Sequence, residues 1–439
     1  MNILLINSPI RLDAQPNCIP YGLATIAGIL KSAGYDVEIY DINALRPGRE
    51  EIVRVLEGKE WDIAGISGLI TTYDFQNWLA GLLKKLQPHA PVISGGGLAT
   101  SISHLLLQND SVDICVIGEG ERTMLEICSA YEKGSDLGNI SGIKCRSNGH
   151  ILDTKPRENI QNLDSIPLPA WDLLPTEIYL QNPIWGDLAG NSSGFKRDVE
   201  VSKSMNIISS RGCPFSCNYC YHLFGRSSYR FRTAQNVIDE IELLVGRYGV
   251  DFIGFVDDNM MASEKRLLEF CDLMEMKKFP ITWGCHGRVT SAKPEILKCM
   301  AEVGCVWIGY GIESGSQKIL NAMNKKATVE QAKQAIINTR KAGIYPNTTF
   351  LFGYPGENRR SIQETIEFKR ELGIECGSFF VTPYPGAPLY EDALDRIDDE
   401  ERFIASLGDA TEFSINLTGF SDEELFELKR CMDANEDVT

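Results

Sequence analysis

The chain has 439 residues, 43% of them hydrophobic, and a formal net charge of −17 at pH 7. That length accommodates two or three domains with sizeable cores. A chain this acidic is a poor general nucleic-acid binder, because phosphate contacts dominate such affinity, and no apolar run approaches the ~20 residues of a membrane helix. The first residues, Met1-Asn-Ile-Leu-Leu-Ile6, lack a basic region and a cleavage site and read as a buried strand rather than a signal peptide. Thirteen cysteines without a secretion signal predict a reducing, cytoplasmic setting.

Residues 1–135 alternate strand and helix signals. Short apolar runs at 3–7, 37–40, 63–67, 92–94 and 115–117 predict strands, and helical spacing at 23–32, 75–86 and 122–131 predicts helices between them. This alternation predicts an α/β, doubly wound, Rossmann-like domain with a parallel sheet. Such sheets bind ligands at the carboxyl ends of their strands. Those ends are Asn7-Ser8-Pro9, Ser67-Gly68-Leu69, Gly95-Gly96-Gly97 and Gly118-Glu119-Gly120-Glu121. Glycines there would let backbone amides approach a large ligand, although turns need glycine in any case. No G-x-G-x-x-G follows the first strand, so the dinucleotide fingerprint is missing.

Residues 136–200 read as a connector. Leu163-Asp-Ser-Ile-Pro-Leu-Pro-Ala-Trp-Asp-Leu-Leu174 is proline-punctuated and apolar, with Trp171 and the leucines expected to be anchored. Residues 186–197 are rich in Gly, Ser and Asn and read as a mobile loop or a lid. Residues 201–385 alternate again. Strands are predicted at 206–210, 251–256, 281–285, 306–311, 347–352 and 377–382, with helices at 234–247, 264–276, 295–303 and 329–342. Residues 386–439 are acidic and helical in pattern, with Ser421-Asp-Glu-Glu-Leu425 opening like a capped helix.

The first strand of this second region leads into Cys213-Pro-Phe-Ser-Cys217-Asn-Tyr-Cys220. Three thiolates at C-x3-C-x2-C suit an iron–sulfur cluster and leave the fourth iron open to a ligand that is not protein. The competing reading is a zinc knuckle with His222 as fourth ligand, but zinc loops usually pair C-x2-C with a distant second pair, and none is evident. Arg211, Arg226, Arg230 and Arg232 cluster nearby, either as surface or ion-pairing arginines or as a positive environment for the cluster or an anionic substrate.

Ser210-Arg-Gly-Cys-Pro-Phe-Ser-Cys-Asn-Tyr-Cys220 resembles the radical S-adenosylmethionine (SAM) enzymes. The resemblance implies a partial (β/α)6 barrel and a 4Fe-4S cluster on Cys213, Cys217 and Cys220. It also implies reductive cleavage of SAM to methionine and a 5′-deoxyadenosyl radical, and a low-potential electron donor such as ferredoxin or flavodoxin. Tyr219 stands where the family places an aromatic residue by adenine. Asp257 and Asp258, at the end of the second barrel strand, are the candidates for the SAM amino group, with a helix N-cap as the alternative role for one of them. Arg288 would hold the methionyl carboxylate. Gly309-Tyr-Gly-Ile-Glu313-Ser-Gly-Ser-Gln317 makes Glu313 and Ser314 candidates for the ribose hydroxyls, and Phe352-Gly-Tyr-Pro-Gly-Glu357 and Thr382-Pro-Tyr-Pro-Gly386 match the fifth and sixth strand ends. His286 would point into the barrel or sit satisfied in the core.

The first 135 residues resemble the cobalamin-binding domain fused to many of these enzymes. The matching stretches are Pro20-Tyr-Gly-Leu-Ala-Thr-Ile-Ala-Gly-Ile-Leu-Lys-Ser-Ala-Gly-Tyr35, Ser94-Gly-Gly-Gly-Leu-Ala-Thr100 and Val112-Asp-Ile-Cys-Val-Ile-Gly-Glu-Gly-Glu121. By this resemblance Tyr21, Gly22, Ser67, Gly68, Leu69, Gly95, Gly96, Gly97, Gly118, Glu119 and Gly120 would line cobalamin. The D-x-H-x-x-G motif that supplies a lower cobalt ligand is absent. Asp13-Ala-Gln-Pro-Asn-Cys18 puts Gln15 where the histidine would be, so cobalamin is expected without a histidine beneath it. Two cofactors together imply methylation of an unactivated carbon, with a peptide or protein side chain, such as glutamine in methyl-coenzyme M reductase, as one guess for the substrate. Lipids, tetrapyrroles and natural-product intermediates remain candidates. Cyclisation or ring rearrangement without methyl transfer is the alternative enzyme, and a cobalamin or redox sensor the non-enzymatic one.

Overall fold

The computed structural model describes residues 1–147, 149–182 and 201–438. The 186–197 loop lies outside them. The chain divides into two units. One is Met1–Asn182 with Ile397–Leu407. The other comprises, among the described residues, 201–396 and 408–438.

The first unit runs β1 (Asn2–Asn7), α1 (Tyr21–Ser32), β2 (Asp36–Asp41), α2 (Ile42–Leu45), α3 (Arg49–Glu57), β3 (Ile63–Ser67), α4 (Tyr73–Leu86), β4 (Val92–Gly95), α5 (Gly96–Leu106), β5 (Ile114–Val116), α6 (Glu121–Lys133), β6 (Ile143–Ser147), β7 (His150–Asp153) and α7 (Thr176–Gln181). Its sheet has the order β2-β1-β3-β4-β5-β6-β7. The first five strands are parallel, with Leu5 opposite both Ile39 and Gly65. The inner strands β1, β3, β4 and β5 are largely apolar and buried, whereas the edge strand β2 carries Asp36 and Glu38 exposed. Strand order reverses between β1 and β3, and the carboxyl ends of those strands form the crevice where such sheets take ligands.

Residues 143–153, within the expected connector, extend this sheet. β6 pairs antiparallel with β5, Ile114 opposite Cys145, and β7 continues from it as a hairpin. The hairpin covers what would otherwise be an open strand edge. The turn signal is present in the sequence as Asn148-Gly149, with Gly149 at φ 81°, but only the strand before it alternates. Trp171 is buried and stacks edge-on against Tyr21 at 5.9 Å, while the Ala170 N–H donates to Ala24 O at 2.9 Å. Residues 397–407, within the expected C-terminal region, belong to this first unit. They carry α15 (Glu400–Ala405), whose Glu401 accepts from the Tyr73 hydroxyl at 2.8 Å.

The second unit opens with β8 (Ser204–Ile207), β9 (Ser210–Arg211) and β10 (Arg230–Phe231). Then come α8 (Ala234–Tyr248), β11 (Phe252–Phe255), α9 (Glu264–Lys277), β12 (Thr282–Gly287), α10 (Pro294–Glu302), β13 (Cys305–Glu313), α11 (Gln317–Ala322), α12 (Val329–Lys341), β14 (Tyr345–Phe352), α13 (Arg359–Glu371), β15 (Phe379–Phe380), α14 (Pro388–Ala393) and α16 (Asp422–Ala434). Six parallel strands stand in the order β15-β14-β13-β12-β11-β8, a half-barrel rather than a closed barrel of eight. One face of this sheet packs on the helices. Phe255, Phe270 and Trp283 meet edge to face at 5.4–5.6 Å, and Phe350 meets Phe368 of α13 at 6.0 Å. The opposite face takes none of these aromatic contacts. The ends of α12, α13 and α16 are set by reciprocal capping pairs, Thr328 with Gln331, Asn358 with Ser361 and Ser421 with Glu424.

Candidate functional site at the strand tips

Residues 212–229 leave the sheet after β8 and return through a short ladder, Arg211 opposite Arg230 and Ser210 opposite Phe231. Gly212 starts the excursion at φ 79°, and a Cβ there would lie 2.3 Å from the Ser228 carbonyl oxygen, so glycine is required. The loop presents Cys213, Cys217 and Cys220 as free thiols. Cys217 and Cys220 hydrogen bond to each other, and Cys213 lies close enough to feel the Cys217 charge. Among the described residues, no three His, Cys, Asp or Glu side chains already stand as a closed metal cage.

The surroundings favour thiolate at Cys217, while burial pushes the Cys213 thiol up. The Cys220 thiol, then Lys325 and Arg288, hold Cys217 below the usual thiol range, while Cys220, which keeps the shared proton, is pushed up. Arg288 Nη1 reaches Cys217 Sγ at 3.5 Å, its Nη2 donates to Lys325 O, and its guanidinium lies 3.7 Å from the Phe215 ring centroid. Its Nε is buried without a hydrogen-bond partner. Three unpaired thiols on one loop, beside two cations, fit an iron–sulfur cluster. His222, the possible fourth zinc ligand, instead has its Nε2 3.3 Å from Cys217 O. The neighbouring arginines divide their work. Arg232 forms a buried ion pair with Glu240, Arg226 donates to Ser216 O at 3.0 Å, and Arg211 and Arg230 flank Phe224.

The two aspartates at the β11 tip differ. Asp257 is buried and accepts from Ser209 N at 3.1 Å, Ser209 Oγ at 2.8 Å and Ser210 Oγ. It ties the β11 and β8 tips together and caps no helix. Asp258 is open to solvent and accepts from the Gly212 N–H. Surrounding protein, and then the Asp257 charge, raise its carboxyl above the ordinary range.

At the β13 tip Glu313 has φ 68°, uncommon for a residue with a side chain. Its Oε1 accepts from Tyr219 OH at 2.9 Å and from Lys325 Nζ at 2.7 Å. Ser314 is buried, with its hydroxyl 3.2 Å from Thr365 Oγ1 and accepting from Ser316 N at 3.1 Å. Its hydroxyl is therefore engaged within the fold. Glu357 closes the turn after β14 by accepting from Gly353 N at 2.7 Å and Tyr354 N at 3.3 Å.

Below the tips, the opposite face of the sheet carries side chains without charge in two register rows. Asn206, Gly254, Gly284, Trp307 and Tyr345 lie in one register row, and His286, Gly309 and Asn347 in the next. The glycines leave space. A Cβ on Gly309 would come within 2.5 Å of His286 Nδ1 and 2.6 Å of Trp307. Burial lowers His286 to about 4, so it is neutral at physiological pH.

In the first unit, the carboxyl edge of the sheet is open in part. Nothing stands within 4 Å of a Cβ built on Gly22, Gly95 or Gly118. Ser8, 1% exposed at the β1 tip, has a hydroxyl without a partner, and Leu69 is 52% exposed. An orphan hydroxyl beside an open apolar and glycine edge fits a large ligand such as cobalamin. One expected side chain faces inward instead. The Glu119 carboxylate is buried and accepts from Ile160 N at 2.5 Å, and a side chain on Gly68 would run into Gln76 and Thr72. A Cβ on Gly120 would meet Ile26, and one on Gly96 would approach Gly68 O at 3.1 Å. Gly97 sits in the first turn of α5 and Tyr21 opens α1. Gln15 is exposed, and of this unit's histidines His89 precedes β4, His104 sits late in α5 and His150 lies on β7, none at the carboxyl edge.

Ser209 and Lys325 were not singled out by sequence reasoning, and Ser8 entered it only as part of the Asn7-Ser8-Pro9 strand end. Ser8 and Ser209 lie at strand ends as single small residues. Lys325 sits in Asn324-Lys325-Lys326, a basic turn with the look of a solvated run.

A half-barrel whose first strand delivers three cysteines defines a radical SAM protein, and residues 207–368 match the radical SAM superfamily. Residues 8–128 match the B12 binding domain. The chain is 31% identical over 402 residues to an uncharacterised methyltransferase of Pyrococcus horikoshii, covering 90% of this chain and 83% of that one. It is 28% identical over 389 residues to an anaerobic magnesium-protoporphyrin IX monomethyl ester cyclase of Cereibacter sphaeroides, covering 86% of this chain and 61% of that one. Among solved structures, the methyltransferase TsrM of Kitasatospora setae with cobalamin and its iron–sulfur cluster bound shares the fold. Its TM-score is 0.70 at 18% identity, over 89% of this chain and 74% of that one. The chain belongs to the cobalamin-binding family of radical SAM enzymes, whose cofactors are a 4Fe-4S cluster, SAM and cobalamin. No helix among the described residues is long and apolar enough to cross a membrane.

Proposed function

We propose that this protein is a cobalamin-dependent radical SAM methyltransferase that methylates an unactivated carbon. The observation that carries the reading is the joint presence, in one chain, of a cation-flanked three-cysteine loop at a half-barrel tip and an open glycine edge on a parallel sheet. Likeness over 83% of the length of a methyltransferase relative supports it. When bound, the cluster with SAM supplies a hydrogen-abstracting radical and cobalamin supplies the methyl group.

The protein's own part is to bind, orient and exclude water. Cys213, Cys217 and Cys220 hold the cluster as thiolates, with Arg288 and Lys325 lowering the cost of that charge. Asp258 is the better choice for the SAM amino group, because Asp257 is spent on Ser209 and Ser210. Arg288 takes the methionyl carboxylate through its unpartnered Nε edge. Glu313 meets the ribose hydroxyls, and Tyr219 lies by adenine. Gly22, Ser67, Leu69, Gly95, Gly96, Gly97 and Gly118 line cobalamin, with no histidine beneath it. Residues 1–135 carry that cofactor and 201–385 the radical chemistry. A ferredoxin or flavodoxin supplies electrons, and a reducing cytoplasm suits thirteen cysteines that form no disulfide.

The substrate reading is an uncharged group such as a peptide or protein carboxamide side chain, glutamine being one case. The neutral face of Asn206, His286, Trp307 and Asn347 supports it. Anaerobic incubation with CD3-labelled SAM tests the function. Transfer of the CD3 group to carbon in a candidate substrate supports methylation. Deoxyadenosine formed with a ring-closed, unmethylated product favours the cyclase reading, for which the cyclase relative speaks. Failure to cleave SAM under dithionite would instead favour a sensor.

A further inference from the structure

Lys325 lies in the turn between α11 and α12 and is only 7% exposed. Its Nζ donates to Glu313 Oε1 at 2.7 Å and to Tyr219 OH at 3.0 Å, while the Tyr219 hydroxyl donates to the same Oε1 at 2.9 Å. The Lys325 carbonyl accepts from Arg288. The rest of the turn grips the cysteine loop on both sides of Cys217. Asn324 Nδ2 donates to Ser216 O at 2.8 Å, Met323 O accepts from Asn218 N at 3.0 Å, and Ala322 O accepts from Asn218 Nδ2 at 3.3 Å.

Two features separate this arrangement from an ordinary structural ion pair. The first is backbone conformation. Glu313, Asn324 and Lys326 have φ of 68°, 53° and 52°, a region that residues with side chains occupy at a cost. Such strain persists where the surroundings over-determine it, and it marks functional positions. The second is that both bonds end on one oxygen. Lys325 and Tyr219 converge on Oε1, and no described residue bonds Oε2.

We infer that Lys325 is a positioning residue, holding Glu313 by Oε1 so that Oε2 is presented to the hydroxyls of the nucleoside bound at the strand tips. This rests on the reading of Glu313 as a ribose contact. Through Tyr219 and Arg288 the same lysine links three groups that face one ligand. A solvent-facing lysine could not do this, because water would compete for each of its donors.

The test uses the full-length enzyme with its cluster reconstituted anaerobically. SAM affinity is read by titrating the change in the cluster's EPR spectrum, with iron content measured in parallel. Glu313→Gln and Lys325→Met should each weaken SAM binding about tenfold, as expected for loss of a charged partner. The double variant should be no weaker than the worse single one, and Lys325→Arg should recover most of the affinity. Iron content should stay at the wild-type level throughout. Wild-type affinity in Glu313→Gln would overturn the ribose contact and the lysine's role with it. A weakened Glu313→Gln beside an unaffected Lys325→Met would overturn the lysine's role alone. Additive losses in the double variant, or iron lost from Lys325→Met and from Lys325→Gln, would also overturn it.

Discussion

His286 shows how a single side chain within the half-barrel sheet reports its surroundings. Its pKa falls from 6.5 to about 4 because burial penalises the charged form. Between pH 4 and 6.5 the unfolded chain binds a proton there that the folded one does not. Its contribution to stability is therefore complete above pH 6.5 and lost as pH falls toward 4. At ~1.4 kcal/mol per unit this amounts to a few kcal/mol. His286→Asn should flatten the pH dependence of urea unfolding over that window, and an unchanged slope would contradict the assignment. Gly309 makes room for the same ring, and Gly309→Ala should cost about 1–3 kcal/mol by overpacking, read from chemical denaturation. Residues recognisable in the sequence were those whose chemistry is local. Cys213, Cys217 and Cys220 carry their spacing within eight residues, whereas Lys325 acquires its role from Tyr219, 106 positions away.

Among the elements, α16 was legible and its anchoring was not. The Ser421 side chain accepts from Glu424 N and the Glu424 side chain from Ser421 N, as the Ser-Asp-Glu-Glu pattern predicts. Ser421→Ala should cost about 1 kcal/mol in thermal unfolding. The far end of α16 is held from α13. Lys369, fully buried, donates to Met432 O at 2.6 Å, and Arg370 donates to Asn435 O at 2.6 Å. Lys369→Ala should cost more than the cap, about 2–4 kcal/mol, because it leaves a carbonyl unbonded and a cavity behind. The β6–β7 hairpin was hidden for another reason. Its outer strand is wholly exposed, with no alternation between buried and open positions to betray it.

For the whole molecule, the expectation is a protein that takes up iron, sulfide and cobalamin anaerobically. Cys213→Ala, Cys217→Ala and Cys220→Ala should each lose iron, whereas Cys115→Ala, buried in the first sheet, should keep it. Iron and sulfide analysis with absorbance spectroscopy reads the difference, and cobalt content should survive all four substitutions. EPR of the cob(II)alamin form should show no nitrogen coupling from protein, since no histidine of the first unit lies at the carboxyl edge of its sheet.

By itself the sequence showed the three-cysteine loop and the alternation of strands with helices along the chain, because cysteine spacing and apolar periodicity are properties of neighbouring residues. Only the tertiary structure decided which carboxylates remain available. Asp257 and Asp258 are equivalent in the chain. Serines 48 and 47 positions away occupy the first and leave the second open. Side-chain hydrogen bonds of that kind depend on which strand tips are adjacent, and adjacency exists only once the half-barrel has formed.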